Sequence, residues 1–245
     1  MANLLFTEFL KLKRAKMMII SILGAAVAPF IVVVATYVHM KTKQPTEVIL
    51  FEELFYQTNL YTVLVIGVPL YGVVTAFLFN REYTEDTLKN LLTLPVPRIS
   101  FIISKILLLF IWITMLTLVS WGLTLLLGTL GQFEGLSFSL IGESFKQFFT
   151  GGLLLFVLSM PIIFITLVMK NYVPTIIFTI VITLINIMTA NSEHRDLFPW
   201  AAAGDIANNT LLSTYPLQYS YIAIIFTSII GFIATIVYFK KIDIH

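Results

Sequence analysis

The sequence predicts an all-α integral membrane protein with six transmembrane helices in a single domain, residues 1–245. Three observations predict it. The first is composition: 58% of the 245 residues are hydrophobic and 11% charged, against roughly 25% charged in an average soluble domain. With a mean hydropathy of +0.95, too few charges remain to cover the outside of a soluble globule. The second is the set of six windows free of Asp, Glu, Lys, Arg and His: 17–38, 58–79, 106–130, 147–169, 171–190 and 217–239. Each is close to the roughly 20 apolar residues that one crossing requires. The third is their continuity. A barrel strand alternates over about ten residues, and these windows do not alternate. A helix is the remaining way to pair every backbone group in lipid.

Residues 1–16 precede the first window. Leu5, Phe9 and Leu12 fall at i, i+4 and i+7, and Lys11, Lys13, Arg14 and Lys16 follow. The spacing predicts an interfacial helix with its basic end near anionic headgroups; the alternative is a charged flank that sets topology. The first window has full span length and no cleavage-like tail, so it is read as a span. Of 15 Lys and Arg residues, only Lys41, Lys43, Lys146 and Arg195 face outward if the N-terminus is cytoplasmic. That bias predicts six crossings with both termini inside.

The connection between windows two and three is the most informative. Thr84 can cap a helix, with Glu85 and Asp86 in its first turn, where acids suit the dipole. Glu85 and Lys89 make an i, i+4 pair. Leu88, Leu91 and Leu92 share a face, and Pro95 and Pro97 end the helix. A short amphipathic helix across the cytoplasmic end follows. Three outer segments remain. Residues 46–57 carry Leu50, Phe51, Leu54 and Phe55 at helical spacing, opposite Glu52 and Glu53, and are expected to form an interfacial helix. Residues 133–149, with Leu140, Ile141, Phe145, Phe148 and Phe149, are expected to run along the interface into span four. Residues 191–216 are too short for two further crossings and suit a re-entrant segment; anchoring by Phe and Trp is the alternative for all three. Pro29, Pro69, Pro161 and Pro174 lie within spans, where they free backbone groups and kink helices.

Several functions are excluded. The spans hold no ionisable group of the kind a pump or ion-coupled carrier needs at depth. His39, His194 and His245 lie outside them, too far apart for a metal site. No Gly-x-Ser-x-Gly elbow exists. No Gly-x-x-x-x-Gly-Lys-Ser/Thr loop appears, so the chain carries no ATP site of its own. There is no cysteine, and a net charge of +2 suggests no nucleic acid.

Glu82, Thr87, Leu88, Leu91, Leu92, Pro95, Val96 and Arg98, placed between spans two and three, resemble the coupling helix of type-2 ABC exporter permeases. Asp86 stands where many such permeases have Gly. The interfacial first helix, the six spans and the cytoplasmic termini extend the resemblance over nearly the whole chain. Length and Pro199-Trp200 look most like bacterial bacitracin-resistance, lantibiotic-immunity and phenol-soluble-modulin exporters. The resemblance implies a multi-pass permease subunit of the bacterial cell membrane that exports amphipathic or antimicrobial peptides. It implies two copies of a separate cytoplasmic ATPase that binds the ATP and Mg, and a second permease chain, identical or paralogous. Glu82, Tyr83, Thr84, Glu85, Asp86, Thr87, Leu88, Leu91 and Leu92 would then couple to the ATPase. Met115, Phe156, Met160, Phe164 and Met188 are candidates for the translocation path, the alternative being that they face lipid or neighbouring helices. Export of a lipid or small hydrophobic drug, and a non-transporting scaffold or sensor, are the competing functions.

Overall fold

The computed structural model describes residues 2–13, 16–43, 50–84 and 97–241. Among these residues it is all helical: α1 (Ala2–Lys13), α2 (Met17–Lys43), α3 (Phe51–Tyr61), a π turn (Thr62–Ile66), α4 (Gly67–Thr84), α5 (Arg98–Leu130), α6 (Phe138–Val157), α7 (Ser159–Met169), α8 (Tyr172–Met188), a 3₁₀ turn (Arg195–Leu197), α9 (Pro199–Asn208) and α10 (Leu217–Lys241). Five stretches are long and apolar enough to cross a membrane: Met17–His39, Phe51–Arg81, Ile99–Leu130, Phe138–Met169 and Leu217–Lys241. The sixth, α8, has 17 residues, about 25 Å at 1.5 Å per residue, the lower limit for a crossing.

The helix expected to lie in the interface over 46–57 differs from expectation within the described residues. From Phe51 the chain runs through α3 and the π turn into α4 without interruption. Phe51, Leu54 and Phe55 are buried, while Glu52 and Glu53 are exposed. The amphipathic pattern is real, but its apolar face is covered by protein. Phe51 meets Phe133 edge-on at 6.1 Å, and Phe55 meets Phe148 at 6.3 Å. Gly128 of α5 leaves room for the Phe51 ring, which a Cβ there would strike. The segment 133–149 does feed span four: Ser137 caps α6 by accepting from the Leu140 N–H at 3.2 Å, and the helix continues to Val157.

Proline chemistry explains two departures from ideal helix. Pro161 has no N–H for the Val157 carbonyl, four residues back. The helix breaks at Leu158 between α6 and α7, and the Ser228 hydroxyl of α10 donates to that carbonyl at 2.8 Å. In the π turn the Gly67 N–H reaches the Thr62 carbonyl. Carried onward, that register would bring the Leu64 carbonyl to Pro69, which has no N–H. The Asn186 amide of α8 donates to it instead, at 3.0 Å. In lipid such freed carbonyls need a partner from a neighbouring helix.

The Phe51–Arg81 helix is the most buried of the five, and α2 and α10 are the least. α4 packs against α7 and α8, α2 against α5, α5 against α6, and α10 against α7. Lys170 takes a left-handed conformation (φ 49°) between α7 and α8, and Asn171 caps α8 by accepting from the Val173 N–H at 3.0 Å. α1 lies against the start of α5, at what we call the amino-terminal end of the bundle. α9 closes the far end against α6 and α10.

Candidate transport site

At the amino-terminal end, α4 leads into residues 85–96 and α5 follows them. Glu82, Tyr83 and Thr84 form the last turn of α4. The Thr84 hydroxyl turns back to the Arg81 carbonyl at 2.9 Å. Tyr83 packs against the core, and the Lys170 ammonium lies 5.9 Å from its ring. Burial pushes the Tyr83 phenol up to about 12, so it stays neutral. Glu85, Asp86, Thr87, Leu88, Leu91 and Leu92 lie outside the described residues.

One cation gathers the elements around this segment. Lys105 of α5 pairs with Glu8 of α1 at 3.2 Å and donates to the Leu78 carbonyl of α4 at 2.7 Å. Its ammonium lies 5.2 Å from the Phe101 ring. Sequence patterning counts Lys105 as a cytoplasmic flanking charge; the structure buries it.

Through the middle of the bundle, uncharged polar groups link the helices. The Tyr71 and Thr117 hydroxyls are 3.1 Å apart, and those of Thr62 and Ser120 3.3 Å. The Trp112 indole donates to Ser21 at 3.1 Å. Thr117, Ser120 and Thr124 repeat at i, i+3 and i+7 along α5, a signal that a search restricted to ionisable residues passes over. Small residues permit this proximity: a Cβ on Gly72 would strike Thr179, and one on Gly152 would strike Thr117.

The far end is tied by charge. Arg195 grips Asp205 with two donors, Nε to Oδ2 at 2.8 Å and Nη2 to Oδ1. Its Nη1 donates to the Ala190 carbonyl at 2.8 Å, and Thr210 donates to Asp205 at 3.0 Å. Burial raises the Asp205 carboxyl to about 6, against the lowering pull of Arg195 and Thr210. Asp196, also buried, accepts from the Leu212 N–H at 2.8 Å. Asn208 accepts from Asn59 at 3.1 Å, joining α9 to α3. Residues 200–208 are all buried, so the segment suited to re-entry is a helix plugged into the end of the bundle.

The five candidate path residues lie on four elements. Met115 of α5 is half-buried against the core. Phe156 of α6 meets Phe110 of α5 at 5.1 Å, in a shallow groove with Thr117 and Phe149. Met160 is in the core, and Phe164 of α7 meets Tyr238 of α10 at 6.2 Å. Met188 ends α8 and is 84% exposed.

A bundle of long apolar helices with a polar interior, a gathered amino-terminal end and a plugged far end is a multi-pass membrane protein. The chain belongs to the ABC-2 family: the family described as ABC-2 family transporter protein matches residues 4–186, from α1 into the last turn of α8. It is 61% identical over 205 residues to the bacitracin transport permease protein BCRB of Bacillus licheniformis, covering 84% of this chain and 99% of that relative. The protein is a permease subunit of an ABC transporter and works with an ATPase in a transporter complex.

Proposed function

We propose that this permease exports a bacitracin-like peptide from the membrane, powered by a separate ATPase. The observation that carries the proposal is the 61% identity to a bacitracin transport permease over nearly that protein's whole length. The amino-terminal end faces the cytoplasm, where two ATPase subunits dock on residues 82–94, and a second permease chain completes the path. The chain itself hydrolyses nothing, in keeping with a sequence that has no phosphate loop. ATP-driven closure of the ATPase pair pushes residues 82–94. Lys105, bonded to α1 and α4 from α5, passes that push to three helices at once. The apolar, uncharged spans suit an amphipathic cargo that stays partly in lipid while it moves.

Deleting the gene should raise bacitracin sensitivity, and returning this chain together with its ATPase should restore resistance, whereas this chain alone should not. Unchanged sensitivity to bacitracin would refute the cargo. Orientation is checked separately. With no native cysteine, Asn90→Cys should resist an impermeant thiol reagent in whole cells and Ser213→Cys should react; the reverse pattern would overturn the assignment.

A further inference from the structure

One stripe of α4, comprising Val73, Ala76, Phe77, Asn80, Arg81 and Thr84, forms the floor of a cleft between α2 and α8. Met17 makes one wall, and Tyr172 and Ile176 make the other. The cleft measures about 360 Å³, within the range of sites that hold small amphiphiles. Its chemistry is ordered along the helix. Toward the bundle centre the lining is Val73, Ala76, Phe77 and Ile176. Toward the amino-terminal end it is Asn80, Arg81, Thr84 and the first residue of α8, Tyr172. From Val73 to Thr84 the helix rises about 16 Å, room for a headgroup and the upper part of one acyl chain.

Two independent observations point to an occupant. Asn80 is 3% exposed, yet its amide oxygen has no hydrogen-bond partner. A buried acceptor left in this state is unfavourable unless water or a ligand supplies a donor. The mouth is also basic. Arg81 lines it, Lys16 precedes Met17, and Lys170 lies two residues before Tyr172.

We propose that this cleft binds an anionic glycerophospholipid with a hydroxyl-bearing headgroup, phosphatidylglycerol in its simplest form. The phosphate sits against Arg81, a headgroup hydroxyl donates to the Asn80 oxygen, and one acyl chain lies along Val73, Ala76, Phe77 and Ile176. The site needs only a membrane, so it stands or falls independently of the peptide cargo.

The test is native mass spectrometry of the full chain taken from vesicles of equal parts phosphatidylglycerol and phosphatidylcholine. The native protein should retain phosphatidylglycerol selectively. Arg81→Gln should reduce that retention about fivefold, the effect of one basic residue on anionic lipid, and Ala76→Phe should fill the cleft and remove it. Lys146→Gln, at the far end, should change nothing. Equal retention of the two lipids by the native protein, or undiminished selectivity in both cleft variants, would overturn the proposal.

A second measurement needs no cleft variant. Trp112 lies 6.2 Å from Phe77, so bromine on an acyl chain in the cleft should quench it. With Trp121 and Trp200 replaced by Phe, brominated phosphatidylglycerol should quench more than brominated phosphatidylcholine at equal bromine content. Equal quenching, with Trp112 emission responding to bacitracin, would assign the cleft to cargo and refute the lipid.

Discussion

Glu8 and Lys105 form an ion pair of 3.2 Å with both side chains almost wholly withdrawn from solvent. The pair fastens α1 to α5, and through the Leu78 carbonyl to α4. Removing one partner of a buried pair costs about 3–5 kcal/mol. Lys105→Met should therefore lower the melting temperature in detergent sharply, and adding Glu8→Leu should recover much of the loss. A double variant no more stable than Lys105→Met would show that the pair is not what holds α1.

The contact of α10 with α7 depends on Gly231. A Cβ there would come within 2.6 Å of the Pro161 Cα, a backbone atom that cannot turn aside. Gly231→Ala should destabilise by about 1–3 kcal/mol through overpacking. Gly122, whose added Cβ would meet nothing within 4 Å, should accept Ala without loss. Thermal unfolding of the two variants side by side checks the contrast.

The far end should respond to pH once Arg195 is removed. Asp205 is held at about 6, above its ordinary 3.8. A carboxyl whose folded value exceeds its unfolded one binds its proton more tightly when folded. Stability from this site therefore falls as pH rises from about 4 through about 6. Arg195→Met deletes the guanidinium that pulls the value down, so the window extends upward. The variant should be least stable near about pH 7.5 and recover as pH falls to about 5, where Asp205 is protonated. Melting curves across that range decide it; equal destabilisation at both ends would remove Asp205 as the cause.

Coupling should rest on leucine more than on charge. Burying a Leu is worth roughly 1.5–3 kcal/mol, and an exposed ion pair about 0–1 kcal/mol. Leu91→Asp and Leu92→Asp should reduce copurification of the ATPase and abolish transport at unchanged membrane levels, while Glu85→Ala should do little. Normal ATPase recovery in both leucine variants would move the docking site elsewhere.

The connections were the least legible part of the chain. Residues 51–57 read as a surface helix because Phe51, Leu54 and Phe55 share a face; that pattern does not say whether lipid or protein covers the face. Residues 200–208 read as outer segment. Asn208 lies in that segment yet is buried against Asn59, whereas Ser213 is exposed. Asn186, Tyr71 and the hydroxyl stripe of α5 carry no signal in the sequence, because a neutral polar residue shows its importance only when its partner is known.

By itself the sequence determined the solvent of this protein. Hydropathy over about 20 residues is a local sum, so it is readable without coordinates. Tertiary structure alone decided which polar groups meet. The Leu64 carbonyl finds Asn186 across 122 positions, the Val157 carbonyl finds Ser228 across 71, and Lys105 finds Glu8. In a medium without water each such group must be paired from another helix. The choice of partner is set by how closely the helices approach, and no local pattern records that distance.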